Sequence, residues 1–568
     1  MSLPAVVELI LSRLGLNSEQ ERENFLNPKY EDLNDPFLMK DLERAVIRIF
    51  EAIEGKEKIY IYADYDCDGI PSASLLYKFF EKLNYAHNVS VYLPDRHDEG
   101  YGLHLDAVEK IIQSGATLII TTDVGITAID EVLFAQTNGV DVIVTDHHLP
   151  RQNLPENVQA GFGEGDTERV DDLPKAYAVV NPKQVLCKYP FKDLCGTGVA
   201  FTLIRGFLQK YGEYFKVGAG AEKWWLDLVA VATISDMVPL LGENRILAYW
   251  GMNVLRKTQN QGLRILFEKN NIKLYQISED DIAFTLAPRI NAASRMAHPN
   301  VALNVLISKD YGEAVKNVLE LEDFNAKRKT VSATIMRKAN VMAKLQELNK
   351  VLVIGEPDWH IGVLGIIAMK VGEQYKKSVM VWGRDPNGNI KGSARSFGDI
   401  HLAQYFTEFP ENTFSAHGGH VKAGGFTVVP DAIYNLTDVA QTVYENHKPI
   451  IEVEQSTDLI IDTNLGSITH ELYSGMKKLA PFGLANPKPI FRFAGVQVSG
   501  VKIFGKSKEH LELTVNDAGK KMSVISFFNA SEPWVAGIYG KNITFTATLD
   551  ESNFAGRTFY RLRLHNIE

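Results

Sequence analysis

Cysteine is scarce: Cys67, Cys187 and Cys195 are the only three in 568 residues, too few for a disulfide framework and without zinc-ligand spacing. A reducing, cytoplasmic setting is therefore expected, with Cys67 a small packing residue. Also missing is any apolar run long enough to cross a bilayer, so no membrane association is expected. The apolar stretch PAVVELILSRLGL has neither a basic leader nor a small-residue cleavage site, and it predicts an amphipathic helix instead of a signal peptide. Nor is there an excess of positive charge: 60 Lys and Arg face 70 Asp and Glu, a balance of −10. A polyanionic ligand would have to be met by local basic patches, and its binding should fall steeply with salt.

What remains is ordinary soluble-protein composition, 45% hydrophobic and 23% charged, in a chain long enough for three or four domains. Against that background four acidic sites stand out: DYDCDG at 64 to 69, Asp123, Asp146-His147-His148, and Asp236. The first three each follow a β-branched apolar run (KIYIYA, ATLIITT, VDVIVT), the pattern of buried parallel strands. Such strands present their C-terminal ends at one edge, where open α/β sheets bind ligands. Asp236 closes the run DLVAVATIS, helical in length, and a carboxylate there needs a partner. Singly, each site has a plain structural reading, an Asp as turn former or helix cap and His-His as a polar loop. Together, acids converging on one crevice would repel one another unless cations lay between them. Carboxylates with one or two imidazoles suit Mn2+ or Mg2+, and two such ions can activate water and stabilise a leaving oxygen, which points to hydrolysis of a phosphate ester or anhydride.

From Lys58 to Leu255 strand and helix patterns alternate, predicting an α/β fold on a doubly wound parallel sheet. The acidic, aperiodic segment spanning 152 to 173 predicts a surface loop. A helical stretch from Val301 to about Lys350, carrying AKRK at 326 to 329, predicts a long connecting helix. A second α/β unit follows, then short strands split by turn residues that suggest a small C-terminal β-barrel of the OB type. Within it VISFFNA is expected to be barrel core and not a base-stacking platform.

The acidic sites, with SDMVPL around Asp236, resemble the four motifs of the DHH phosphoesterase superfamily. Further pieces narrow the likeness: DRHDEGYGL at 95 to 103, PRINAASRM at 288 to 296, WHIGVLGIIA at 359 to 368, GSARS at 392 to 396, GGHVKAGGF at 418 to 426, and APFGLANPKPIF at 480 to 491. This set, in order over nearly the whole chain, is similar to the bacterial RecJ family of single-strand-specific DNA exonucleases. The resemblance implies an N-terminal helical segment (1–57), a DHH domain (58–300), the connecting helix (301–350), a DHHA1 domain (351–450) and an OB domain (451–568).

It also implies two ions, Mn2+ or Mg2+, and 5′ to 3′ degradation of single-stranded DNA to 5′-mononucleotides, in repair and recombination. Asp66 and Asp68 would each feed one ion, Asp123 would bridge, and His147 and Asp236 would complete the second, with Asp64 and His148 at the margin. A pocket for a terminal 5′-phosphate would use Arg96, Ser393 and Arg395, with Arg289 a further candidate, and His417 and His420 would contact or position substrate. Arginine suits that role because its planar fork grips phosphate oxygens in pairs. A single-strand-binding protein and a RecQ-type helicase are the implied partners. Two residues depart from the pattern: Tyr62, where many relatives have histidine, and Ser294, where glycine is usual. Rival readings are a phosphodiesterase for short oligonucleotides or cyclic dinucleotides, and a non-catalytic single-strand-binding relative.

Overall fold

The computed structural model describes residues 4–153, 170–447, 460–505, 507–554 and 557–568. Most of the acidic loop expected between the DHH triplet and Ala178 lies outside these residues. The chain divides into two compact units, Asn34–Asp236 with Gly251–Glu454, and Met1–Leu33 with Met237–Trp250 and Gln455–Glu568. The expected N-terminal helical segment is thereby split. Helices Ala5–Arg13 and Glu19–Leu26 belong to the barrel's unit, whereas helix Leu42–Glu54 belongs to the other.

In the larger unit, β1 (Ile59–Ala63), β2 (Val89–Tyr92), β3 (Leu118–Thr122) and β4 (Asp141–Thr145) are followed by a short antiparallel pair, β5 (Arg151–Asn153) with β6 (Val170–Asp172), and by β7 (Ala178–Val180). Five of these form a parallel sheet in the order β2-β1-β3-β4-β7. Alternate residues bury opposite faces. Tyr62, Ile119, Val142 and Val144 pack against helices Leu105–Gln113 and Ile129–Thr137, while Ile61, Ile120 and Ile143 are just as buried on the other side. Both faces are covered, which is why the strands read as continuous apolar runs. The order reverses between β1 and β3, so this is a doubly wound sheet whose switch point lies between those strands.

Helix Tyr311–Leu345, 35 residues and so about 52 Å long, leads to the second sheet. Its strands are β8 (Val351–Gly355), β9 (Ser378–Arg384), β10 (Ile390–Arg395), β11 (Phe414–Gly419) and β12 (Ala423–Val428), ordered β11-β12-β10-β9-β8 with only β8 and β9 parallel.

In the smaller unit, β13 (Ile460–Thr463) pairs with β14 (Ile490–Phe504). Strand β14 also joins β15 (His510–Asp517), β16 (Lys520–Ser526), β17 (Asn542–Phe554) and β18 (Arg557–Ile567) into a closed barrel through its second pairing with β17. Phe491, Phe493, Leu511, Leu513 and Phe545 fill it, and Val7, Ile10 and Leu11 of the first helix extend the same core. The reading of VISFFNA as core holds only in part. Val524, Ile525 and Ser526 are buried, but Phe527 and Phe528 are 39% and 74% exposed. The alternation stops where β16 ends, and Phe528 turns outward with φ +64°.

Candidate active site

Register gathers the acids. Ala63 pairs with Thr122 and Thr122 with Thr145, so Asp64, Asp123 and Asp146 each stand one residue beyond the C-terminal end of three adjacent strands. Asp123 adopts φ +61°, a turn that a β-carbon opposes, and its N–H donates to the Thr145 carbonyl at 3.0 Å. DYDCDG crosses from β1 into helix Gly69–Lys82. Gly69 is required there, because a β-carbon would stand 2.3 Å from the Asp64 carbonyl oxygen. Asp66 Oδ1 accepts from the N–H groups of Asp68 (2.8 Å) and Gly69 (3.1 Å). The Asp68 carboxylate accepts from Gly196 N (2.6 Å) and Thr197 N (2.8 Å), which open helix Gly196–Tyr211 with its favourable dipole end. Asp236 caps helix Leu226–Ser235 at its C-terminus, where the dipole disfavours an acid.

These groups face one another. His147 Nε2 lies 3.2 Å from Asp123 Oδ1, 3.8 Å from Asp236 Oδ2 and 3.9 Å from Asp68 Oδ2. Three sets have ligand atoms within 4.8 Å of one another: Asp64-Asp66-Asp123, Asp68-His147-Asp236, and Asp123-His147-His148. Asp64 thus sits inside a set and not at the margin. Asp123 belongs to the first and third of them. Burial, and then the neighbouring carboxylates, push the Asp64 and Asp123 carboxyls well above the usual range, and the same causes push Asp236 up to about 8. Asp64 Oδ1, Asp123 Oδ1 and His147 Nδ1 are buried without a hydrogen-bond partner. Crowded acids, orphaned oxygens and one inward imidazole are the donor set of a hard divalent cation.

Asp146 does different work. Fully buried, it accepts from Ile126 N (2.9 Å), His147 N (2.7 Å) and His148 N (3.1 Å) and meets His148 Nδ1 at 2.8 Å. Burial opposes a charged His148, but the Asp146 hydrogen bond and charge prevail and hold it up at about 9. Tyr62 is no ligand either: it is buried in the sheet's core and its hydroxyl donates to the Gly102 carbonyl at 2.9 Å.

A cationic group lies in the same unit. Arg96 sits 4.9 Å over the Tyr65 ring, and on β10 Arg395 Nη1 donates to Ser393 Oγ (3.2 Å) and to the Ala394 carbonyl (2.8 Å). A β-carbon on Gly365, at the start of helix Leu364–Tyr375, would stand 3.1 Å from Ser393 Oγ and 3.2 Å from Arg395 Nη2. Arg295 is held below the usual guanidinium value by burial and by Arg96, Arg328 and Arg395.

Comparison with known proteins bears on this geometry. Residues 58–233 match the DHH family N-terminal domain, 348–446 the DHHA1 domain and 461–566 the RecJ OB domain. The single-stranded-DNA-specific exonuclease RecJ of Haemophilus influenzae is 30% identical over 581 residues, covering 98% of this chain and 96% of that protein. The chain belongs to the RecJ family. RecJ of Bacillus subtilis is 33% identical over 562 residues, 98% of this chain, although the chain spans only 66% of that protein's length. The crystal structure of RecJ from Thermus thermophilus in complex with Mn2+ superposes with a TM-score of 0.76 at 25% identity, over 100% of this chain and 78% of that one. A crystal structure of exonuclease RecJ bound to manganese matches at 30% identity, TM-score 0.60, over 72% of this chain and 96% of that one.

Of the expected pocket residues, Arg289 is buried, pairs with Glu322 (2.7 Å) and also donates to the Thr285 carbonyl (2.7 Å) and to Asn270. His417, on the edge strand β11, and His420 just beyond it are exposed. Ser294 is fully buried. Sequence reasoning missed Gly196-Thr197, Gly365 and Arg295. A GTG opening an apolar helix was the available signal for the first. Arg295 lay inside a quoted motif, but spacing alone did not separate it from Arg289.

No helix among the described residues is long and apolar enough to cross a membrane.

Proposed function

We propose that this RecJ-family chain hydrolyses single-stranded DNA from its 5′ end to 5′-mononucleotides, with two divalent ions, Mn2+ or Mg2+. The observation that carries the reading is the three-strand register that converges Asp64, Asp123 and the DHH turn on Asp66, Asp68 and Asp236. Asp64, Asp66 and Asp123 would hold one ion and Asp68, His147 and Asp236 the other, with Asp123 shared. Ions bound there supply an activated water and neutralise charge on the leaving oxygen. Helix Gly196–Tyr211 orients Asp68 through two N–H groups, and Asp146 sets the tautomer and tilt of His148, leaving its Nε2 free to meet substrate.

The pocket chemistry supports a terminal phosphate. Arg96, Ser393, Arg395 and Arg295 gather cationic and hydroxyl donors beside the start of a helix, a setting that favours a dianion. His417 and His420, exposed at the sheet edge, would touch the strand. On the barrel, exposed Phe527 and Phe528, with Arg563 5.5 Å over the Phe527 ring, offer faces on which bases stack. A single-strand-binding protein that covers the substrate and a RecQ-type helicase that supplies it, in a cytoplasmic repair or recombination setting, complete the proposal.

The test is digestion of a labelled strand some tens of nucleotides long beside a dinucleotide. Mononucleotide release from the long strand with Mn2+ or Mg2+, abolished by Asp123→Ala and His147→Ala, is expected. Cleavage of the dinucleotide alone would favour a short-oligonucleotide phosphodiesterase. Binding of the long strand without cleavage of either would favour a non-catalytic relative.

A further inference from the structure

One loop is tied to both α/β domains by bonds beyond those of its pocket arginine, Arg96. DRHDEGYGL, residues 95–103, closes on itself: Asp95 Oδ1 accepts from His97 N (2.7 Å), Glu99 Oε2 accepts from Asp95 N (2.6 Å), and Gly100 N donates to the Asp95 carbonyl (3.0 Å). From the first sheet it is held by two stacked tyrosines, Tyr62 on β1 and Tyr92 on β2, with ring centroids 5.2 Å apart and planes at 14°. The Tyr62 hydroxyl donates to the Gly102 carbonyl (2.9 Å) and the Tyr92 hydroxyl to Glu99 Oε1 (2.5 Å). From the second sheet it is held by Lys391. Its Nζ donates to the His97 carbonyl (3.1 Å) and lies 3.2 Å from the buried Asp385 carboxylate, itself fixed by Asn389 N (2.8 Å) and Nδ2 (2.9 Å).

What the loop joins gives the arrangement its meaning. Lys391 is two residues before Ser393 and four before Arg395 on β10, and residues so spaced share one face of a strand. The lysine therefore fastens the loop to the strand that carries the end pocket. At the other side Tyr101 reaches the acid–histidine centre, with its hydroxyl 3.3 Å from His148 Nδ1. Arg96, on the same loop, lies over Tyr65 of DYDCDG. Lys391, Arg96 and Tyr101 thus link the pocket strand, the loop and the acid–histidine turns.

We infer that this loop is a spacer: it fixes the separation between the end pocket and the acid–histidine centre and thereby selects which phosphodiester is cut. Tyr62, Tyr92 and Lys391 are its positioning residues and touch no substrate. The inference rests on the exonuclease reading above and deepens it. A strand whose terminal phosphate is held at a set separation presents its first internal linkage to the centre and leaves as a mononucleotide. If the strut yields, the second linkage also reaches the centre.

The experiment uses the full chain, a 5′-phosphorylated strand labelled at that end, and products resolved by length at early times. The parent is expected to release labelled mononucleotide alone. Tyr62→Phe, which keeps the ring and its packing, and Lys391→Met, at a half-exposed site, are each expected to release labelled dinucleotide as well. Their KM for the phosphorylated strand should rise about five- to tenfold, the loss that one net hydrogen bond produces, with Mn2+ uptake in calorimetry unchanged and Lys391→Arg restoring mononucleotide. Two variants that release mononucleotide alone at the parental KM would overturn the inference, as would a fall in kcat with product length and KM unmoved. A parent that degrades no strand overturns the exonuclease reading first, and is distinguished by its failure before any variant is compared.

Discussion

Replacing Gly196 by alanine should damage the centre without unfolding the protein. The glycine opens helix Gly196–Tyr211 and donates its N–H to Asp68 Oδ2 at 2.6 Å. A β-carbon at that position would stand 2.6 Å from Asp123 Cβ and 2.7 Å from Asp123 Oδ1, whereas carbon atoms rest about 3.5 to 4.0 Å apart. Asp123 must therefore move by about 1 Å. Its backbone is held by the Thr145 carbonyl and by the turn at φ +61°, so the displacement falls on the carboxylate common to the Asp64-Asp66-Asp123 and Asp123-His147-His148 sets. A misplacement of that size at a reacting centre costs about a hundredfold in rate, equivalent to about 2.7 kcal/mol of barrier. Helix propensity works the other way. Alanine gains up to about 1 kcal/mol over glycine in a helix, so the melting temperature should change by no more than about 4 °C. Steady-state degradation of a 5′-phosphorylated strand across a Mn2+ titration, beside a thermal melt, reads both quantities. Parental kcat at saturating Mn2+ would refute the argument that Asp123 has no room to retreat.

Gly365→Ala should lower the preference for a 5′-phosphate over a 5′-hydroxyl, because its β-carbon enters the space beside Ser393 and Arg395, and Arg395→Ala should erase it. Unequal rates on the two ends surviving in the Arg395 variant would dissociate these residues from end recognition. In the barrel's unit, Arg245 lies 3.5 Å over the Phe25 ring and donates to the carbonyls of Phe25 (2.6 Å) and Leu479 (3.0 Å). Arg245→Met orphans those carbonyls and should destabilise the unit by about 2 to 4 kcal/mol in denaturant unfolding, while a loss below about 0.5 kcal/mol would contradict that role.

Metal-free protein should become more stable as pH falls from 8 toward 6. Asp64, Asp123 and Asp236 are raised on folding, Asp236 to about 8 from 3.8. The folded state then binds more protons than the unfolded one, and stability declines as pH rises through that window. Saturating Mn2+ should flatten the dependence, and identical pH profiles with and without the ion would count against the crowding of these acids.

Much of this was legible in the chain. KIYIYA, ATLIITT and VDVIVT announced buried parallel strands because helices cover both faces of the sheet, and an acid after each announced a shared edge. Register could not be read: that Ala63, Thr122 and Thr145 lie level depends on hydrogen bonding between strands far apart in sequence. Arg289 and Arg295 share one motif, and only packing shows that the first pairs with Glu322 while the second adjoins Arg96 and Arg395. VISFFNA misled because barrel alternation was extended two residues past the end of β16, where backbone geometry changes and Phe527 and Phe528 turn to solvent. Tyr62 looked like a missing ligand, and the carbonyl its hydroxyl meets belongs to a loop 40 residues away.

Anomalous diffraction at the manganese edge from Mn2+-soaked crystals tests the central claim most directly. Two peaks are predicted, one bounded by Asp64, Asp66 and Asp123 and one by Asp68, His147 and Asp236, with Asp123 reaching both. A lone peak elsewhere, or none at these carboxylates, would contradict the account.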